Sequence, residues 1–228
     1  MNKVLILLDE TYPREAHAEV LAVAAVAAPE GEWDGYAREL SAMASTRGGR
    51  SKRICEFVAA RAIRAAIAGL RLDLIGAIPG SRDEYTDVGD LSARDRAWVD
   101  MAGQATNIVA LRVLEAGWAA NSFYIYYDPK SLAREHRSLT ATSLPQVLAR
   151  EATDFVRRTR GSSSQAIVVP LPREVQKPRK DHATPLTWGT WLAHEVAKLP
   201  HNFFGDALPP NIEVYKRPSL RPHLAQVS

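Results

Sequence analysis

Two aspartates follow the most strongly apolar runs of the chain: Asp9 after Val4-Leu5-Ile6-Leu7-Leu8, and Asp128 after Phe123-Tyr124-Ile125-Tyr126-Tyr127. Each run reads as a buried β-strand. In sheets with parallel strands, ligands gather outside the carboxyl ends, so on neighbouring strands the two carboxylates meet at one edge. Acids held close repel each other unless one is protonated or a cation lies between them. A divalent Mg²⁺ or Mn²⁺ answers that need, because it takes carboxylate oxygen and substrate phosphate together. A pair of such ions about 4 Å apart activates water and stabilises the leaving oxygen in phosphodiester cleavage. The plainer alternative is turn chemistry, for which Asp128-Pro129 is well suited. Glu10 joins such a site only if the chain turns there, since adjacent strand residues point to opposite faces.

Other chemistry-bearing residues are less organised. His194-Glu195 lacks the second histidine at helical spacing that a zinc peptidase motif requires. Asp181-His182 precedes the last helix, where an N-terminus attracts anions, and reads either as surface or as part of a site. Two basic clusters, Arg47, Arg50, Lys52 and Arg53, then Arg173, Lys177, Arg179 and Lys180, read as solvated surface or as phosphate contacts. Lys130, two residues after Asp128, is a further candidate nucleic-acid contact. No glycine-rich dinucleotide loop, P-loop or GxSxG elbow is present. Tyr124, Tyr126 and Tyr127 have the chemistry to stack bases, and alternation along a strand explains them equally as packing. Cys55 has no second cysteine to pair with, and reads as a small buried hydrophobe.

The elements that must position these groups alternate. Lys3–Leu8 and Val20–Ala28 are expected strands, and the short link between them predicts antiparallel neighbours. Trp33, Tyr36, Ala37, Leu40 and Met43 lie at i, i+3, i+4, i+7 and i+10, one apolar helix face. Gly48-Gly49 breaks that helix, and a second is expected from about Ser51 to Gly69. Leu72–Ile78 is an expected third strand. A long helix opening near Ser92 turns Trp98, Met101, Ala105, Ile108, Val109 and Val113 inward. Phe123–Tyr127 is the clearest strand. Ser143 caps a helix with Leu144, Leu148, Ala152, Phe155 and Val156 on one face. Gln165–Val169 forms a short strand. Thr184-Pro185 opens the last helix, with Trp188, Trp191, Leu192, Val196 and Leu199 on one face, and a short strand is expected at Ile212–Tyr215.

Strands alternating with helices predict an α/β fold with a largely parallel sheet and covered faces. The 228 residues suit one domain. The expected division is a domain over residues 1–200 and a proline-rich C-terminal extension over 201–228, a docking strand for a protein partner. Net charge is only +3, too small to name a partner. One cysteine and the absence of any apolar run near the ~20 residues a bilayer needs predict a soluble cytoplasmic protein. The short N-terminal run ends in Asp9-Glu10 and lacks a signal-peptide cleavage site.

The opening Val4-Leu5-Ile6-Leu7-Leu8-Asp9-Glu10-Thr11, the second apolar strand, Tyr126-Tyr127-Asp128 and Leu186-Thr187-Trp188-Gly189-Thr190-Trp191-Leu192-Ala193 resemble one known group. It is the large bacterial family of ribonuclease-H-like proteins described only as a domain of unknown function. The resemblance implies a ribonuclease-H-like mixed sheet of about five strands flanked by helices, and metal-dependent cleavage of nucleic acid. It assigns Asp9, Glu10 and Asp128 the catalytic acids, with Mg²⁺ or Mn²⁺ at Asp9 and Asp128. The sequence also departs from the family. Tyr12 stands at the family's glycine, Thr46-Arg47-Gly48 where an acid is expected, and Thr190 near the final-helix aspartate, for which Asp181 is a candidate substitute. Those departures favour the alternative of a catalytically silent ribonuclease-H-like module that binds nucleic acid or a protein.

Overall fold

The computed structural model describes residues 3–11, 20–46, 48–71, 93–118, 122–127, 153–154, 157–158, 167–170, 184–199 and 208–216. Strand β1 (Lys3–Thr11) lies among six strands: β2 (Val20–Pro29), β3 (Arg64–Arg71), β4 (Ser122–Tyr127), β5 (Ile167–Pro170) and β6 (Ile212–Lys216). Their order is β5-β4-β1-β2-β3-β6. β1 is antiparallel to β2 and parallel to β4, β2 is antiparallel to β3, and β5 and β6 run parallel to β4 and β3. β2 alone therefore runs against the other five. This is the expected mixed α/β sheet, with six strands where the resemblance implies about five. The sixth, β6, is the short strand expected at Ile212–Tyr215, inside the segment also read as an extension, and it pairs with β3 from Ala65↔Ile212 to Gly69↔Lys216.

β1 is central because its apolar residues are buried on both faces: Leu5 and Leu7 on one, Val4, Ile6 and Leu8 on the other. The first face carries helices α1 (Trp33–Ser45), α2 (Arg50–Ala59) and α4 (Pro185–Ala197). The second is covered by α3 (Ala93–Glu115), which lies against β2 and β3 and buries Met101, Ala102, Ala105, Val109 and Val113. α1 buries Trp33, Tyr36, Ala37 and Leu40, the spacing expected for one face. Tyr36 links the first two helices, its ring edge-on to Trp33 at 5.8 Å and to Phe57 of α2 at 5.7 Å. Gly49, at φ 58°, makes the left-handed turn that opens α2. Thr184 caps α4 as expected: its hydroxyl accepts from the Thr187 N–H, and Pro185 fills the first turn.

The region after α2 differs from expectation. The helix expected over Ser51–Gly69 ends at Ala59, and Arg64–Arg71 is strand β3. Alanine favours helix locally, but here Ala65, Ala66 and Ala68 are buried between the ladders of β2 and β6, where pairing on both sides decides the conformation. Asn211 fixes the entrance to β3: its Nδ2 donates to the carbonyls of Val58, at 2.5 Å, and Ile63, at 3.2 Å, and its backbone carbonyl accepts from the Ala65 N–H. The strand expected at Leu72–Ile78 and most of the helix expected after Ser143 lie outside the described residues. Among the described residues, no helix is long and apolar enough to cross a membrane.

Candidate functional site

β1 does not stop at Leu8. Its ladder with β2 continues through Asp9↔Ala24, Glu10↔Val23 and Thr11↔Ala22, so the acids sit inside the strand rather than just past it. Alternation puts Asp9 on the face of Leu5 and Leu7, beneath α4, and the Glu10 side chain on the opposite face. Both are buried, Asp9 at only 2% exposure. Asp9 Oδ1 accepts the Glu10 N–H at 2.8 Å. Oδ2 lies 3.3 Å from Nδ1 of His194, on α4. The same Nδ1 is 2.9 Å from the Glu10 carbonyl oxygen. A carboxylate, a peptide carbonyl and an imidazole thus meet where the last helix crosses the C-terminal half of β1.

The crossing is tight because α4 presents Gly189 to the sheet. A Cβ there would lie 2.1 Å from Leu7 Cδ1 and 2.8 Å from Trp33 Cζ3. Leu7 precedes Asp9 by two residues, and Gly189 precedes His194 by five. The close approach that seats the helix therefore also sets the reach of the histidine.

β1 and β4 are adjacent and parallel, with Leu8↔Tyr127 the last registered pair. The neighbouring strands needed to bring Asp9 and Asp128 to one edge are thus present. Asp128 itself, with Asp181, Arg47, Lys130, Arg173, Lys177, Arg179 and Lys180, lies outside the described residues. Thr190, where the resemblance expects an acid, is buried and donates its hydroxyl to the Leu186 carbonyl.

The described part of the first basic cluster is largely engaged within the protein. Arg50 donates to the Ala44 carbonyl at 3.4 Å, approaches Glu195 at 3.7 Å and stands over the Trp191 ring at 5.9 Å. Arg53 donates to the Thr46 carbonyl at 3.0 Å. Both arginines thereby satisfy carbonyls at the end of α1. Lys52 is exposed, 3.9 Å from Glu56 one turn on. Trp188 and Trp191 meet edge-on at 5.6 Å and, like Tyr124 and Tyr126, pack against the core. Burial pushes the Tyr127 phenol up to about 12 and raises that of Tyr126, on which Glu30 acts in the same direction. Burial, then Glu56, raises the Cys55 thiol, which suits a packed side chain rather than a nucleophile.

The residue that sequence reasoning passed over is His194. In the sequence His194 has no histidine partner at helical spacing, and its contacts lie instead on β1. A faint signal was available: a polar residue on the apolar last helix, one turn after Thr190.

No protein-family model matches the chain, and no curated protein matches it significantly. Among solved structures, a chain of the PCNA:RNase HII complex from Archaeoglobus fulgidus is similar at 14% identity, TM-score 0.36, covering 87% of this chain and 71% of that one.

Proposed function

We propose that this protein is a ribonuclease-H-like, metal-dependent nuclease that hydrolyses nucleic-acid phosphodiesters around Asp9. One observation carries the reading: a carboxylate buried on the central strand, beside the parallel strand that leads into Asp128, is met by a histidine from the last helix. A buried acid of this kind is costly unless something positive faces it. The donor set suits a divalent ion, which Asp9 and Asp128 would share and which supplies an activated water and charge neutralisation at the phosphate. The protein's own part is positional. The Glu10 N–H fixes one oxygen of Asp9, and the crossing of α4 over β1 holds the other towards His194. Lys52 is a candidate backbone contact, as are the basic residues from Arg173 to Lys180.

The test is cleavage of labelled single-stranded DNA, RNA and hybrid duplex by wild type and Asp9→Asn, with Mn²⁺ or with EDTA. Metal-dependent cutting lost in the variant is the expected result and fixes the substrate class. The second reading is a silent module that binds nucleic acid or protein. It draws on Arg50 and Arg53, which close a turn beside the place where the resemblance expects an acid. Binding without cutting by a well-folded wild type would establish it and refute the nuclease.

A further inference from the structure

The sheet has two edges, and they differ. β5 is four residues long and ends in Pro170, features that discourage pairing with another strand. β6 contains no proline, and its middle residue, Val214, is the one large apolar side chain exposed among the described residues, at 36%. The Ala65 N–H of β3 bonds the Asn211 carbonyl at 2.9 Å, and Ala65 is in register with Ile212. Backbone groups alternate in direction along a strand, so Asn211, Glu213 and Tyr215 turn their N–H and C=O towards β3. Those of Ile212, Val214 and Lys216 point off the sheet. The Ile212 N–H bonds the Pro209 carbonyl at 2.9 Å, and the rest of that outward row meets no strand among the described residues.

We propose that this edge pairs with the same edge of a second copy of the chain, β6 antiparallel to β6 about a two-fold axis at Val214. The ladder closes only where outward residues face outward residues. The midpoint of Ile212–Lys216 is itself outward, so the full strand overlaps its copy only with Val214 opposite the second copy's Val214. In that register each Val214 N–H donates to the other's carbonyl, and each Lys216 N–H donates to the opposite Ile212 carbonyl. The Ile212 N–H is not needed, being already bonded. The side chains fit the same register. Ile212 belongs to the core under α1, α2 and α4, so Val214 lies on that face, and Glu213, bonded to Arg112 of α3, lies on the other. The two valines cover each other as a β-branched cross-strand pair. Glu213 faces a tyrosine, Tyr215, rather than a second acid, and Arg112 already matches its charge. A self-complementary contact of this kind closes at two copies, and the edges left on the joined sheet are the two blunted β5 strands.

The pairing is independent of the nuclease reading and is measured without it. Sedimentation equilibrium of the whole protein over a wide concentration range is expected to show the mass rising from one chain to two. Val214→Pro removes an N–H that the β3 ladder does not use, so the fold is kept, and with both central bonds gone the dimer should weaken about tenfold or more. Should that variant fail to fold, Val214→Lys, an edge charge on an unaltered backbone, must weaken it as well. A hydrogen-bonded antiparallel pair holds its Cα atoms about 5.5 Å apart, inside the range of about 4.4–6.8 Å that a disulfide spans. Val214→Cys under mild oxidation should therefore cross-link two chains, while wild type, whose Cys55 is buried, and the exposed control Asp34→Cys should not. A dimer that survives both Val214→Pro and Val214→Lys, or Val214→Cys cross-linking no faster than Asp34→Cys, would place any association elsewhere and overturn the proposal. The mass of one chain at every concentration would overturn it too, and would leave the edge of β6 to an extended segment of some other protein.

Discussion

Replacing Gly189 by alanine probes the contact on which the site's geometry depends. An added Cβ would stand 2.1 Å from Leu7 Cδ1 and 2.8 and 3.2 Å from two carbons of the Trp33 ring, where carbon pairs rest at about 3.5–4.0 Å. Leu7 and Trp33 are 0% and 1% exposed, so neither can swing into solvent. Alanine would gain roughly 0.5–1 kcal/mol from the helix interior. Overpacking a closed core costs about 1–3 kcal/mol, and the depth of this overlap places it in the upper part of that range. The expected net loss is about 1–2 kcal/mol, which for a chain of this size lowers Tm by roughly 2–8 °C. Urea unfolding followed by fluorescence should show the midpoint falling with the slope unchanged. In a Leu7→Ala background the same substitution should cost less, because the nearest opposing methyl group is gone while the overlap with the Trp33 ring remains, and the two effects are not additive. A single variant as stable as wild type, or more stable, would refute the close approach of α4 to β1.

Three further outcomes follow from contacts elsewhere. The Tyr127 phenol, pushed up to about 12 from the ordinary value near 10 by burial, stays neutral in the folded protein. Its contribution, about 2–3 kcal/mol, is complete below about pH 10 and is lost as pH rises towards 12; Tyr127→Phe should unfold less steeply than wild type across that window. Asn211→Ala removes the side-chain donor from the Val58 and Ile63 carbonyls, which keep the Arg61 N–H and the Arg64 guanidinium, and should cost about 0.5–1.5 kcal/mol in chemical denaturation; an unchanged midpoint would remove Asn211 as the staple of β3. Arg112 of α3 bonds Glu213 of β6 through two nitrogens and Glu115 through a third contact. Because these side chains are about two-fifths exposed, Arg112→Ala should cost only about 0.5–1 kcal/mol, a difference that shrinks in high salt.

Much of the frame is legible in the residues. Val4 to Leu8 and Phe123 to Tyr127 declare buried strands, Trp33, Tyr36, Ala37 and Leu40 declare a helix face, and Thr184-Pro185 announces the last helix. β3 was not legible, since Arg64 to Leu70 is rich in alanine and glycine and its conformation is decided by two neighbours distant in sequence. The extension of β1 through Asp9, Glu10 and Thr11 was hidden for a similar reason: charged residues end an apolar run, but a ladder with Ala22, Val23 and Ala24 carries them onward. Asp9 was identifiable from its place after the run. Its contact with His194 was not, because 184 residues separate the histidine from Glu10, whose carbonyl it meets, and only the crossing of helix and strand unites them.

Glu10 serves the two faces of the sheet by different means. Its side chain belongs to the α3 face, while its peptide oxygen belongs to the face of Asp9 and His194. A peptide oxygen is common to every amino acid, so that half of the residue's role is invisible to substitution. Exchanging the side chain at this position leaves that oxygen in place, and homologues with unrelated residues there would keep it. Only a change in the path of the backbone, such as a shift of register between β1 and β2, would take it away.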